Sequence, residues 1–323
     1  MKIKEIHEEE IKDFVQSNYS LNIDKIKYFP LGEDGASYII WLSKGKSKKY
    51  VKVCNKGETA FKSIIEIKTI IEFLYKAREK YNFVHAPLPF KNKNGNLISK
   101  FRGFPVIVYD YITGGNIKEF SKRDYIQLGG VIAELHSLNK RKFSGIKKEN
   151  LDLKWEGKIL AIISSLKKSE KHKELSKEIL PKEELFVKGI NFLRKEVIKM
   201  HKKQKEAVIV HADIHKGNLM KEGNFIYLID WDGLELALPE KDLMWFSEGV
   251  KLNAYFKESY KKSIGKTFNI DEDALKFYII KRIFSEIVFF SRVLFFRELT
   301  QKEKEEKLNF IRGAIGRLGG ILK

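Results

Sequence analysis

Residues 208–232, VIVHADIHKGNLMKEGNFIYLIDWD, constrain this chain more than any other stretch. An apolar run at 208–210 leads into His211-Ala212-Asp213. Asn218 follows in the same loop, and a second apolar run at 225–229 ends in Asp230-Trp231-Asp232. The pattern predicts a strand, a turn bearing polar side chains, and a return strand that delivers Asp230 beside them. Asp and Asn next to Gly are ordinary turn residues. Flanked by strands, with an acid closing the second, they also meet the needs of phosphoryl transfer from ATP. That chemistry uses one carboxylate to accept the proton of the attacking hydroxyl. A carboxamide oxygen and a second carboxylate hold magnesium against the phosphates. The stretch therefore reads as the catalytic core of a kinase-like phosphotransferase. His211 reads as a hydrogen-bonding buttress of the loop, and His215 as a loop residue.

Composition narrows the setting. With 43% hydrophobic residues in 323, the chain can bury a sizeable core and form two lobes. Its one cysteine, Cys54, excludes an internal disulfide and suits a reducing compartment, so a cytoplasmic location is expected. Residues 1–10 are charged and hold no apolar signal core. The apolar stretch 284–296 is broken by Ser285, Glu286, Ser291 and Arg292 and is too short and polar to span a bilayer. A net charge of +19 can signal nucleic acid or an anionic membrane. Here the basic runs Lys167-Lys168 and Lys202-Lys203 sit in mixed-sign helical stretches, and no Arg-rich patch with interleaved aromatics occurs. The charge reads as solvated helix faces, and neither nucleic acid nor membrane is expected as a partner.

The chain changes character along its length. Strands are expected at 26–31, 38–42, 50–53 and 104–109, with a helix at 60–80, which makes a small α+β lobe over residues 1–110. After Gly114-Gly115 the pattern becomes helical. Ser121 and Asp124 look like a capping box, and amphipathic helices are expected at 185–200 and 274–296. Residues 111–323 are therefore expected to form a larger, mostly helical lobe. The fold class is α+β.

Within the first lobe, a turn with Gly32 and Gly35 could bring backbone to phosphates, or could be a plain hairpin. In the strand at 50–53, Val51 and Val53 face one side and Lys52 the other. A lysine there reaches the α and β phosphates if an acid from the next helix orients it. Glu66 is the expected partner and Glu58 the fallback. The stretch 106–112, followed by Thr-Gly-Gly, reads as a hinge in which backbone groups of Asp110 and Ile112 meet an adenine edge. A strand ending in a glycine loop has the same geometry.

Three stretches carry a family resemblance: 211–218 (HADIHKGN), 229–232 (IDWD) and 238–244 (LPEKDLM). They resemble the aminoglycoside phosphotransferase family and, within it, the spectinomycin phosphotransferases. The similarity extends over residues 25–296 and is sharp at 208–249. It implies a bilobal protein-kinase-like fold, ATP (or GTP) and magnesium. It also implies Asp213 as catalytic base, Asn218 and Asp230 as metal ligands, and Asp242 as an acid that pins the catalytic loop. Asp232 and Glu235 directly follow the metal-binding strand and are the expected contacts of an acceptor ammonium. The implied acceptor is a small-molecule alcohol, such as an aminoglycoside or aminocyclitol antibiotic. A metabolite kinase for choline, a sugar or a homoserine-like alcohol is the alternative. A non-catalytic kinase-like protein and an RNA-associated protein are further readings. Aminoglycosides are polycations, which a basic chain does not favour, although net charge does not set a local field. The short interval from Asp230 to Asp242, with no A-P-E after it, leaves no room for the activation segment of a protein kinase.

Overall fold

The computed structural model describes residues 6–29, 35–43, 47–55, 62–168, 170–265 and 268–323. Contacts divide the chain into two compact units. The first comprises Met1–Ser121, Leu138–Lys147 and Asp213–Leu234; the second comprises Lys122–Ser137, Lys148–Ala212 and Glu235–Lys323. The boundary expected after residue 110 falls inside the first unit, to which two later stretches return.

The first unit opens with helix α1 (Glu8–Tyr19), which the sequence reading did not foresee. Ile11, Val15 and Tyr19 recur at helical spacing and bury one stripe. Strands β1 (Ile23–Tyr28), β2 (Ala36–Leu42) and β3 (Lys48–Val53) follow, then helix α2 (Ile64–Tyr81) and strands β4 (Ser99–Phe101) and β5 (Phe104–Asp110). All five strands pair antiparallel in the order β1-β2-β3-β5-β4. Val51 and Val53 are fully buried against Ile40, Val106 and Val108, while Lys52 lies on the opposite face of the strand. Each buried valine contributes roughly 1.5–3 kcal/mol. This alternation therefore sets the register that presents Lys52.

Helix α2 begins later than the sequence suggested. Ser63 Oγ accepts the Glu66 N–H, and the Glu66 carboxylate accepts the Ser63 N–H at 2.9 Å. This reciprocal cap starts the helix, and Ile67, Ile71, Phe73, Leu74 and Ala77 bury its inner face. Phe61, expected on that face, lies outside the described residues.

The chain continues through β6 (Gly115–Asn116), α3 (Lys122–Ser137), α4 (Lys154–Lys168), α5 (Lys173–Ile179), α6 (Glu183–Lys203) and β7 (Val208–Val210). Then come β8 (Leu219–Glu222), β9 (Phe225–Leu228), β10 (Glu235–Ala237), α7 (Glu240–Leu243), α8 (Ala254–Ile264), α9 (Glu272–Phe296) and α10 (Gln301–Ile321). In the first unit β6, β8 and β9 form a second small sheet.

In the second unit β7 pairs antiparallel with β10, a short antiparallel pair joins Ser247–Glu248 to Lys251–Leu252, and the other elements are helices. Phe186, Ile190 and Leu193 of α6 pack with Phe277, Ile280, Phe284 and Ile287 of α9 and with Ile311 and Leu318 of α10. Among the described residues no helix is long and apolar enough to cross a membrane. The helix expected after Ser121 starts at Lys122, and Asp124 is buried rather than displayed.

Helices α3 and α8 approach each other backbone to backbone at Gly129. A Cβ there would lie 2.6 Å from the Phe256 carbonyl oxygen and 2.8 Å from the Tyr260 nitrogen, whereas at Gly130 the nearest atom, Ser263 Oγ, is 3.9 Å away. Gly129→Ala should therefore destabilise the protein by about 1–3 kcal/mol through overpacking. Gly130→Ala should stabilise it by up to about 1 kcal/mol through helix propensity. Urea unfolding of the two variants checks this, and similar midpoints would contradict the close crossing.

Candidate active site

The loop that carries the candidate base is fixed by a carboxylate. Asp242, in α7, is fully buried, and its oxygens accept the His211 N–H at 2.9 Å and the Ala212 N–H at 2.7 Å. Its Oδ2 also lies 3.2 Å from His136 Nε2, whose Nδ1 is 2.8 Å from the Tyr260 hydroxyl. Ala212 holds a φ of +67°, a conformation that costs a residue bearing a Cβ. The two bonds to Asp242 offset that cost and turn the chain out of β7 in one direction. His211 is buried beside them.

Beyond the turn, Asn218 is buried and donates through Nδ2 to the Asp213 carbonyl at 2.9 Å and to its carboxylate Oδ2 at 3.3 Å. With its amide nitrogen so committed, Asn218 offers a carboxamide oxygen to a cation. The β8–β9 hairpin pairs Leu219 with Leu228, and the Ile229 N–H donates to the Asn218 carbonyl at 2.9 Å. Asp230 is thereby delivered next to Asn218. It sits in the left-handed region at φ +60°, a conformation that asparagine and aspartate tolerate best after glycine and that recurs at functional turns. The next residue anchors the turn. Trp231 is buried, donates from Nε1 to the Leu228 carbonyl at 2.8 Å, and packs its ring 5.4 Å from Phe73 and 6.0 Å from Phe83. Fixing the indole aims the acids on either side of it.

Lys52 completes the group. Its ammonium lies 3.7 Å from Asp232 Oδ2. Burial works to lower its pKa, but Asp232 first, then Cys54 and Asp230, outweigh burial and hold it above its ordinary value. Lys62 donates to the Asp232 carbonyl. Tyr109 senses the same group: burial pushes its phenol up, and Cys54, Tyr50, Asp232 and Asp230 push it further. Tyr50, whose hydroxyl is 2.6 Å from Ser37 Oγ, is likewise raised by burial.

Two expectations need correcting. Glu66 is not the partner of Lys52. Its carboxylate is taken by the Ser63 cap and by Lys147 Nζ at 3.2 Å, and Lys52 pairs with Asp232 instead. The fallback, Glu58, lies outside the described residues. Glu235 is not displayed to a ligand either. It is only 9% exposed and ion-paired with Lys241. Lys241 also meets Glu149 at 2.8 Å, and Glu149 in turn holds Lys281 at 2.8 Å and the Tyr278 hydroxyl at 2.6 Å. An acceptor ammonium would have to displace Lys241 from a buried network, which is costly.

The remaining candidates fall as follows. Gly35 adopts φ +125°, and a Cβ there would lie 2.2 Å from the Val53 carbonyl oxygen, so the close approach it permits is to β3. Gly32 lies outside the described residues. The Asp110 N–H donates to the Leu88 carbonyl at 3.1 Å, and its side chain accepts from Lys49 at 2.8 Å. Adenine recognition by Asp110 would thus fall to its carbonyl. Ile112 is buried two residues on. The sequence reading missed His136, Tyr260, Tyr50, Tyr109, Lys62 and Lys147. All are brought in by long-range packing except Tyr50, which neighbours Lys52 in β3 and was readable there.

Magnesium needs oxygen ligands, and it is commonly held by one or two carboxylates together with substrate phosphates rather than by an all-protein cage. The donor set fits. Asn218 would offer its carboxamide oxygen, and Asp230, one residue beyond the Ile229 N–H that binds the Asn218 carbonyl, its carboxylate.

Asp213, Asn218, Asp230 and Lys52 are of the kinds that phosphoryl transfer from a nucleotide uses. Residues 25–275 match the APH family, described as a phosphotransferase enzyme family, and the chain belongs to it. A spectinomycin phosphotransferase solved with ADP and spectinomycin is 19% identical, with 98% of this chain and 99% of that chain covered and a TM-score of 0.74. An amicoumacin kinase solved with AMP-PNP and Ca2+ is 14% identical over 97% of this chain and 94% of that chain, at a TM-score of 0.64. A microcompartment-associated aminopropanol kinase is 14% identical over 97% of each chain, at a TM-score of 0.62. The fold is the protein-kinase-like α+β fold, and the chain is a phosphotransferase of this family.

Glu66 serves its helix, which is testable. The Ser63 cap, ahead of Lys147, pulls its carboxyl down from 4.5 to about 2. A lowered folded value means that the stabilisation is complete above pH 4.5 and is lost as pH falls toward 2. Glu66→Ala should lower Tm by about 2–4 °C at pH 7, the cost of a lost cap. The gap from wild type should close on acidification below pH 4.5. KM for ATP should stay within about twofold, since a cap does not touch phosphates. A large rise in KM with unchanged Tm would return Glu66 to Lys52.

Proposed function

We propose that this chain is an ATP- and magnesium-dependent O-phosphotransferase whose acceptor is an aminocyclitol or aminoglycoside, spectinomycin-like compounds being the first to test. One observation carries the reading: Asp213 is held by Asn218, and the hairpin sets Asp230 next to that same asparagine. The acceptor hydroxyl gives its proton to Asp213 while its oxygen takes the γ-phosphoryl group and ADP leaves. Asn218 and Asp230 would hold magnesium, which when bound neutralises the charge on the phosphates. Lys52 would hold the α and β phosphates, exchanging its contact with Asp232 for them. Asp232, whose side chain is 40% exposed, is then released to meet an acceptor ammonium. The nucleotide would lie against Gly35, Lys52 and the hinge at Asp110 and Ile112. Such an enzyme works in the cytoplasm on a small molecule, without nucleic acid or membrane, and its action on an antibiotic would confer resistance.

A second reading, a metabolite kinase for choline, a sugar or a homoserine-like alcohol, is favoured by one observation: the net charge of +19 repels polycations. A transfer screen separates the two, using ATP and GTP with magnesium over aminocyclitols, aminoglycosides and small alcohols. Phosphorylation of neutral alcohols alone would remove the antibiotic reading.

Asp213→Asn should lower kcat by roughly 10²–10⁴-fold. ATP affinity by calorimetry should hold within about twofold, since a base contributes to the transition state rather than to nucleotide binding. A variant that keeps more than half the activity removes Asp213 as base. Asp230→Ala should weaken magnesium-dependent ATP binding more than Asp232→Ala does, and the reverse order in calorimetry would exchange their roles.

A further inference from the structure

The His215 ring is oriented at both nitrogens. Its Nδ1 accepts the Gly217 N–H at 3.0 Å, and its Nε2 lies 3.6 Å from Asp213 Oδ2. An imidazole nitrogen that accepts a hydrogen bond carries its lone pair, so in the neutral ring the proton resides on Nε2. The group turned toward the Asp213 carboxylate is thus an N–H donor. At 3.6 Å the contact is longer than a hydrogen bond. Contacts of this kind tighten when the reacting complex assembles. The backbone is shaped around the ring: a Cβ on Gly217 would lie 2.7 Å from His215 Cε1 and 2.9 Å from Nδ1. Asn218 Nδ2 meets the same Asp213 oxygen at 3.3 Å. Asn218 Nδ2 holds Oδ2, and the His215 Nε2 stands 3.6 Å from the same oxygen, so that a small approach would bring a second N–H onto it and fix the direction of Oδ1.

We infer that His215 is a positioning residue for phosphoryl transfer, its Nε2–H holding Asp213 Oδ2 so that Oδ1 meets the acceptor hydroxyl. The inference rests on the reading of Asp213 as base. No bond forms or breaks at His215. The proton passes from the hydroxyl to Asp213 as the hydroxyl oxygen bonds to the γ-phosphorus and the bond from that phosphorus to ADP breaks.

The test uses the full chain with magnesium-ATP, and spectinomycin or water as acceptor. His215→Ala and Gly217→Ala should each lower kcat by roughly 10–100-fold, the cost of a base misplaced by about an ångström. KM for ATP should stay within about twofold, because the phosphates do not meet this ring. His215→Gln, which keeps an N–H near the same place, should recover most of the loss; a merely structural role would not be rescued in kcat alone. Ring-nitrogen NMR should show the Nε2–H tautomer, with Nε2 shifting in Asp213→Asn. Wild-type-like kcat in His215→Ala, a glutamine variant no better than alanine, or an Nδ1–H tautomer would each overturn the inference. Transfer by wild type with a silent His215→Ala removes this inference alone. If wild type transfers to neither acceptor, nor to any alcohol in the screen, the functional reading fails and this inference fails with it.

Discussion

The two hydrogen bonds that Asp242 accepts from the amides of His211 and Ala212 are what the loop bearing the candidate base depends on. Without them Ala212 has no reason to hold its left-handed conformation, and the turn that places Asp213 and Asn218 would relax. The carboxylate is itself held by His136, which is held by Tyr260. Gly129 lets α8 come close enough for that hydroxyl to reach α3. A buried charge of this kind is tolerable only when hydrogen-bonded from several sides, as this one is. Helix packing in the second unit thus reaches the loop through a chain of named contacts.

Near Lys52 the electrostatics are a matter of exchange. Asp232 and Asp230 hold the Lys52 ammonium in its charged form against the effect of burial. Phosphates are stronger partners for such a lysine than one carboxylate at 3.7 Å. Trp231, buried and donating to the Leu228 carbonyl, anchors the segment that carries both acids.

The parts of this site that were legible in the sequence are those whose cause is local. The β3 alternation of Val51, Lys52 and Val53 has period two and shows directly. The loop from Asp213 to Asn218 is bounded by strands only a few residues long, and its polar residues have few other uses. Glu66 was misread for a reason that is also local. Ser63-x-x-Glu66 is a capping box, and an acid at the third helical position is first claimed by the amide of its own cap. Glu235 pairs with Lys241, only six residues on in α7, but the burial of that pair against Glu149 depends on tertiary packing. The same holds for His136 and Asp242, 106 residues apart, and for Lys147 and Glu66, 81 apart. Spacing carries no trace of such pairs. Helix α1 was passed over because three consecutive acids hide its stripe of Ile11, Val15 and Tyr19. Those acids belong at a helix start, where they meet the positive end of the dipole.

The acids of this chain divide by what holds them. Lys+Arg number 62 against 43 Asp+Glu, so a partly buried acid readily meets an ammonium. Asp232 has Lys52, Glu235 has Lys241 and Asp110 has Lys49, while Glu66 has both the amide of its own cap and Lys147. Asp242 is instead held by the amide N–H groups of His211 and Ala212 with His136 beside them, and Asp213 by the Asn218 carboxamide N–H. A lysine partner brings a full charge on a flexible stem. An amide or ring N–H brings direction from a fixed frame, with far less charge. Orientation matters most where a carboxylate must aim a lone pair or brace a strained turn. Charge matters most where ions are to be gathered. The first kind of support surrounds the residues read as base and brace, and the second surrounds the residues that meet ions or close helices. In a strongly basic chain, the acids held by neutral donors are therefore the informative ones.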